Sequence, residues 1–194
     1  SGKVESVNSR RLHGAGVRVF NGVQGVYVYT NDTTEKGLMD CARRAASAVA
    51  AQSRYVAKPL MWQETPSIHP ILEMPNQVKS QKKVEKMKAA QAVLKQYDEI
   101  AQATVNYMDS VQRVWIANSE GLFTSDTRVY TRFSVAAIAS NGTENQRGFS
   151  GPGAMQGFEI FDQRIDPEKT AKIAADQAVT MLHAPVCPAG VMPV

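Results

Sequence analysis

Residues 100–140 read IAQATVNYMDSVQRVWIANSEGLFTSDTRVYTRFSVAAIAS. β-Branched and aromatic side chains recur through this stretch: Val105, Tyr107, Val114, Trp115, Ile116, Val129, Tyr130, Phe133, Val135 and Ile138. Such residues suit a pleated, half-buried surface. Three runs stand out, at 103–108, 112–117 and 127–139. Asn118-Ser119-Glu120-Gly121 and Asn141-Gly142 read as turns, because Asn and Gly accept left-handed backbone. The stretch therefore predicts an antiparallel meander of three or four strands.

Helical periodicity flanks this β-rich centre. Upstream, residues 79–97 carry a narrow apolar stripe of Val84, Met87 and Leu94, with Lys79, Lys82, Lys83 and Lys86 on one flank that reads as solvated. Downstream, Asp166 caps a helix, Pro167 opens it and Glu168 supplies the favourable first-turn charge. Ala171, Ala174, Ala178 and Leu182 line one face of that helix, which must stop near Ala184 because Pro185 follows. Between strands and helix lies residues 147–158, rich in glycine and the least regular part of the chain.

Further upstream, residues 55–77 hold Pro59, Pro66, Pro70 and Pro75. They cannot form a regular helix and predict a crossing segment with at most one short strand near 57–63. Residues 32–52 predict a helix, capped by Asp32 with Glu35 three residues on. Its small residues Cys41, Ala42 and Ala45 imply close packing on a sheet. In residues 15–30, Val17, Val19, Val26 and Val28 alternate with polar or aromatic neighbours around Asn21-Gly22, a β-hairpin signature. Residues 4–12 make a weaker strand candidate. Helices separated by clustered strands define the class as α+β, with mostly antiparallel sheet and three main helices.

Composition narrows function by exclusion. The chain has 194 residues, 43% hydrophobic and 21% charged, enough for a real core and too apolar for disorder. That length suits one large domain or two small ones, and we read it as one domain over 1–194. No run of 18 apolar residues offers a membrane span, and the first five residues do not read as a signal peptide. Two cysteines, Cys41 and Cys187, build neither a disulfide framework nor a Cys-rich zinc site. They read as reduced thiols of a cytosolic protein. The net charge of +4 is too mild to argue for nucleic acid by itself.

No residue set announces catalysis. His13, His69 and His183 each stand alone, without a second ligand at metal-binding spacing. There is no nucleophile elbow, P-loop or dinucleotide fingerprint. The glycine-rich stretch has three readings: a flexible connecting loop, a peptide-lining edge that uses Arg147, Gly148, Ser150, Gly151 and Gly153, or a phosphate cradle. The last lacks the Gly-Lys-Ser/Thr that should follow. Glycine lets a foreign backbone come close, and that favours the peptide reading among the functional ones. The lysine cluster at 79–88 lacks the interleaved aromatics of a single-strand stacking surface.

Four stretches in order resemble the N-terminal region of the TldD/PmbA family. The hairpin Gly14 to Tyr29 is similar to the family's GxGVR segment. Val114-Trp115-Ile116-Ala117-Asn118-Ser119-Glu120-Gly121 resembles its hydrophobic turn, and Arg147-Gly148-Phe149-Ser150-Gly151-Pro152-Gly153 its glycine-rich stretch. Ala184 to Val194, with Pro188-Ala189-Gly190-Val191-Met192-Pro193-Val194, resembles its APAGxMPVV strand and is the most specific of the four. The Gly190–Val194 ending looks more like the TldD-type subunit than the PmbA type.

The resemblance implies a cytoplasmic zinc metallopeptidase that processes peptides or unfolded proteins as a dimer, with a PmbA/TldE-type subunit or with itself. An older family name, modulator of DNA gyrase, leaves a regulatory module contacting gyrase or nucleic acid as the alternative. The family's His-Glu-x-x-x-His motif and its later cysteine ligand fall after the MPV strand, beyond Val194. The expectation is a front part with its start trimmed, holding no zinc or other cofactor and no catalytic residue of its own. The full-length protein would carry the zinc.

Overall fold

The computed structural model describes residues 3–49, 56–191 and 193. The chain divides into two compact units. One comprises Glu5–Pro59 with Ser119–Gly121; the other comprises Ser1–Val4, Leu60–Asn118 and Leu122–Val194.

In the smaller unit, strands β1 (Ala15–Asn21) and β2 (Gln24–Thr30) form the expected hairpin, antiparallel from Ala15↔Thr30 to Asn21↔Gln24. Val17, Val19, Val26 and Val28 are the more buried positions of the alternation, while Arg18 and Tyr27 stack on the open face at 5.2 Å. Helix α1 (Glu35–Ala48) packs on this hairpin with Cys41 and Ala45 fully buried, as its small residues predict. Its cap is Thr34 rather than Asp32: the Thr34 hydroxyl accepts from Gly37 N at 3.2 Å. Asp32 instead accepts from both the amide and the hydroxyl of Thr34. Those hydrogen bonds favour its charged form and hold its carboxyl below the usual range. The end of the predicted helix, 50–52, lies outside the described residues. Residues 4–12 form no strand, because among the described residues no segment pairs with them.

The larger unit is built on two very long strands, β4 (Ile100–Ala117) and β5 (Leu122–Ser140), paired antiparallel along their whole length. The predicted meander is thus a single hairpin at this point, and the runs 103–108 and 112–117 are one strand. Asp109 does not break it, because its carboxylate meets Lys83 Nζ at 2.6 Å and the charge is compensated within the pleat. The turns fall where the sequence puts them. Gly121 and Gly142 take φ of +95° and +91°, and Asn141 Oδ1 accepts from Thr143 N and Glu144 N.

Further strands pair with the other edge of β5. They are β3 (Met61–Trp62), parallel, then β7 (Gly153–Ala154) and β6 (Asn145–Ser150), both antiparallel. The sheet is therefore mixed, though mostly antiparallel. Half of the glycine-rich stretch is sheet: Ser150 pairs with Val135 and Gly153 with Arg132, while Phe133 N donates to Pro152 O at 3.0 Å.

Helices α2 (Ser80–Leu94) and α4 (Pro167–His183), with the single turn α3 (Ile160–Gln163), cover one face of this sheet. Alternate β5 residues Val129, Thr131, Phe133, Val135, Ala137 and Ala139 are buried. Against them pack Ala90 and Leu94 of α2, Ala171, Ala174, Ala178 and Leu182 of α4, and Phe158, Ile160, Phe161 and Ile165. Each large side chain so buried contributes roughly 1.5–3 kcal/mol. Asp166 caps α4 as expected, its Oδ1 accepting from Glu168 N at 2.8 Å and Lys169 N at 3.1 Å. On the lysine flank of α2, Lys79 and Lys82 are exposed as expected, whereas Lys83 and Lys86 are partly buried. Lys83 is only 19% exposed in its pair with Asp109, and Lys86 Nζ lies 5.5 Å from the Phe161 ring centre.

A buried carboxylate ties the proline-rich crossing segment to the core. Glu159, 5% exposed, accepts from Glu73 N through Oε2 at 2.9 Å and from Gly157 N through Oε1 at 2.8 Å. Phe158 N returns a hydrogen bond to Glu73 O at 2.8 Å. Burial opposes the charge, but the backbone N–H donors outweigh it and hold the carboxyl below its ordinary value. The unfolded chain therefore takes up a proton that the native state refuses. Stability from this group is full above the ordinary carboxylate range and is lost as pH falls through the lowered native value. Glu159→Gln offers one acceptor oxygen for two amides and leaves one donor buried and unmet, at about 2 kcal/mol. Urea unfolding at neutral pH should show that loss, and the difference from the unmodified chain should shrink in acid.

Candidate functional site: the cleft between strand β6 and helix α4

Strand β6 is the outermost strand at its end of the sheet, pairing with β5 on one side. Its side chains alternate. Gly148 is buried towards α4, while Arg147 and Phe149 are exposed on the opposite face, the Arg147 guanidinium 5.6 Å from the Phe149 ring centre. A Cβ at Gly148 would lie 1.9 Å from Ala174 O and 2.7 Å from Ala178 N. The strand and the helix thus meet backbone to backbone, and only glycine opposite alanines permits it.

This contact brings α4 alongside the outer edge of β6. Gln177 Oε1 accepts from Phe149 N at 2.9 Å. One hollow is lined by Arg147, Phe149 and Gln177. A second, of about 590 Å³, includes Ser150, Gly151, Pro152, Lys169, Thr170 and Ile173 in its lining. Along the chain, 147 and 149 on the strand lead to Ser150 at its end and to Gly151 and Pro152 beyond it, and 177 leads to 173, 170 and 169 on the helix; residues 161–166 complete the second hollow. Ile173, Gln177 and Met181 are four residues apart, hence on one face of α4, and Ile173 and Met181 are 48% and 47% exposed. On its other flank α4 is held by Asp176. That carboxylate accepts from Lys172 at 2.8 Å and from the Tyr97 hydroxyl at 2.6 Å, and both bonds lower its pKa, Lys172 the more.

The five residues singled out in the sequence do not act alike. Arg147 and Ser150 with Gly151 fall in the two hollows. Gly153 pairs with Arg132 in β7, and Gly148 faces the helix instead of the solvent. Sequence reading missed Gln177 and Ile173. The helical spacing of Ile173 and Met181, beside the alanine face, was the available signal. Among the described residues no group of three His, Cys, Asp or Glu side chains could hold a metal ion. His183 Nε2 pairs with Glu99 Oε1 at 2.5 Å, and His13 Nδ1 lies 3.4 Å from the Thr33 hydroxyl. Cys41 is buried and Cys187 exposed, both free. No described helix is long and apolar enough to cross a membrane.

The family profile described as PmbA/TldA metallopeptidase central domain matches residues 73–182, and that for domain 1 of the same family matches residues 1–49. The chain belongs to the PmbA/TldD family. It is 23% identical over 188 residues to the metalloprotease TldD homolog of Haemophilus influenzae, covering 93% of this chain and 39% of that one. It is 25% identical over 193 residues to a metalloprotease of Methanothermobacter thermautotrophicus, covering 97% and 41%. The chain thus spans about two fifths of the length of these relatives. Its fold is similar to that of a Thermotoga maritima protein described as a candidate modulator of a DNA gyrase. The TM-score is 0.66 at 18% identity, over 90% of this chain and 39% of the other. A Bacteroides thetaiotaomicron protein of like description gives 0.64 at 13%, over 86% and 39%.

The place of Gly148 against Ala174 has a direct consequence for PmbA/TldD-type chains of this geometry. Gly148→Val forces β6 and α4 apart and should cost roughly 3 kcal/mol, the upper range for overpacking, read as a fall in thermal midpoint. Gly142→Ala, at a turn with open space around it, should cost about 1 kcal/mol through its positive φ alone.

Proposed function

We propose that this chain is the non-catalytic front part of a TldD-like zinc metalloprotease that degrades or processes peptides and unfolded proteins. The β6–α4 cleft helps hold the polypeptide in extended form. The names of the relatives support the protease class. The observation that carries the role of this chain is the cleft itself: a strand edge bordered by an exposed apolar helix stripe, a general arrangement for strand addition. In this reading the metal and the hydrolytic step belong to the full-length protein. A related PmbA/TldE-type subunit or a second copy completes a dimer. Two free cysteines accord with a cytoplasmic setting. Nucleic acid is the weaker ligand, because Lys83 and Lys86 of the basic cluster are engaged with Asp109 and Phe161.

Arg147 and Ile173 are exposed, so Arg147→Glu with Ile173→Asp should change stability by no more than about 0.5 kcal/mol each. In the full-length protein the pair should weaken binding of an unfolded casein peptide about tenfold, near 1.4 kcal/mol, and slow its cleavage. Unchanged binding and cleavage would remove the cleft from the substrate path.

A further inference from the structure

The outward edge of β6 is met by a side chain where a sheet would ordinarily continue. Residues two apart on an antiparallel strand point their N–H and C=O groups the same way. Phe149 N faces Gln177, so Arg147 and Asn145 direct theirs to the same side, away from β5. Among the described residues no strand pairs with that edge. A bare strand edge is a template for pairing with another chain, and proteins usually blunt it with proline, lysine or a cover. Here a primary amide does so at one position. Its carbonyl is the same acceptor group as a peptide carbonyl, and it sits 2.9 Å from the amide it satisfies.

We propose that Gln177 is a place-holding amide: an extended polypeptide displaces its side chain from Phe149 N and pairs with the outer edge of β6 across Asn145–Ser150. The inference rests on the peptide-cleft reading above and adds to it the binding mode. Recognition then runs mainly through main-chain groups, which any unfolded sequence carries. Phe149, Ile173 and Met181 receive alternate apolar side chains along the flanks. Displacement requires only side-chain rotation. Gln177 is exposed, and the helix bearing it stays fixed through Ala174, Ala178 and the Asp176–Tyr97 hydrogen bond.

The test compares this chain with Gln177→Ala and Gln177→Glu, using a fluorescein-labelled casein peptide and residue-resolved amide exchange. Alanine preserves helix propensity, so α4 stays formed. In Gln177→Ala the Phe149 amide should exchange about tenfold faster without peptide and regain protection with it. Peptide affinity should rise about three- to tenfold, as one competing hydrogen bond is gone. In Gln177→Glu a charged acceptor grips the Phe149 amide more firmly, so peptide should bind several-fold more weakly, with recovery as the carboxylate is protonated. If the unmodified chain binds peptide but neither substitution shifts affinity or Phe149 protection, the displacement mode is wrong and the cleft reading survives. If the unmodified chain binds no peptide, both fall. Dimerisation of the alanine variant without peptide binding would assign the edge to a second copy and overturn the proposal.

Discussion

The contact between Gly148 and the backbone of Ala174 and Ala178 sets the distance between sheet and helix in the larger unit. Most helices rest on a sheet through side chains at about 10 Å. Here Gly148, which has no side chain, meets the α4 backbone at Ala174 and Ala178, and strand and helix come closer at that point. The gain is dispersion between backbones at contact distance. The requirement is that no position in the contact carries even one extra methyl group. Ala171, Ala174, Ala175 and Ala178 are all fully buried along α4. Larger residues such as Phe133, Phe158 and Phe161 fill the core beside α3, with Phe158 and Phe161 ring centres 5.0 Å apart.

That approach explains why the cleft exists where it does. A helix drawn over β6 brings its next stripe, Ile173–Gln177–Met181, to the strand's outer edge. A bulkier residue at 148 would lift Gln177 away from Phe149 N and open the edge to water. The hydrogen bond from the Tyr97 hydroxyl to Asp176 then fixes the rotation of α4, because residues 176 and 177 point about 100° apart. Core packing and the exposed edge are thus two faces of one constraint.

How far the sequence revealed this depended on the range of the interactions. The β1–β2 hairpin, the Asp166 cap and the alanine face of α4 follow from residues within one or two turns of each other, and they were legible. The continuity of β4 through Asp109 was not, because the lysine that compensates the carboxylate is 26 residues upstream. The strand at 145–150 was hidden for a similar reason: glycine weakens strand propensity, and only register with β5 reveals what the glycine accommodates. Residues 4–12 show the converse, β-like composition with no partner among the described residues. Thr34 displaced Asp32 as cap because both can fill the role locally, and the choice turns on a side-chain hydrogen bond between them. The family likeness was carried by the order of short motifs. The part the glycine-rich motif plays in the fold became visible only in three dimensions.

A sheet edge held by a removable amide differs in energy from one blocked by proline or a bulge. Proline removes the donor for good, whereas Gln177 satisfies it with a bond worth about 1 kcal/mol net in water. The donor is therefore quiet in the isolated protein yet open to any chain that supplies several carbonyls in register. Successive main-chain pairs along Asn145–Ser150 outweigh a single side-chain bond. One isolated carbonyl, or another folded protein whose edges are already paired, does not. An edge of this kind selects for backbone that is extended and unpaired, which is the property that separates an unfolded polypeptide from a folded one.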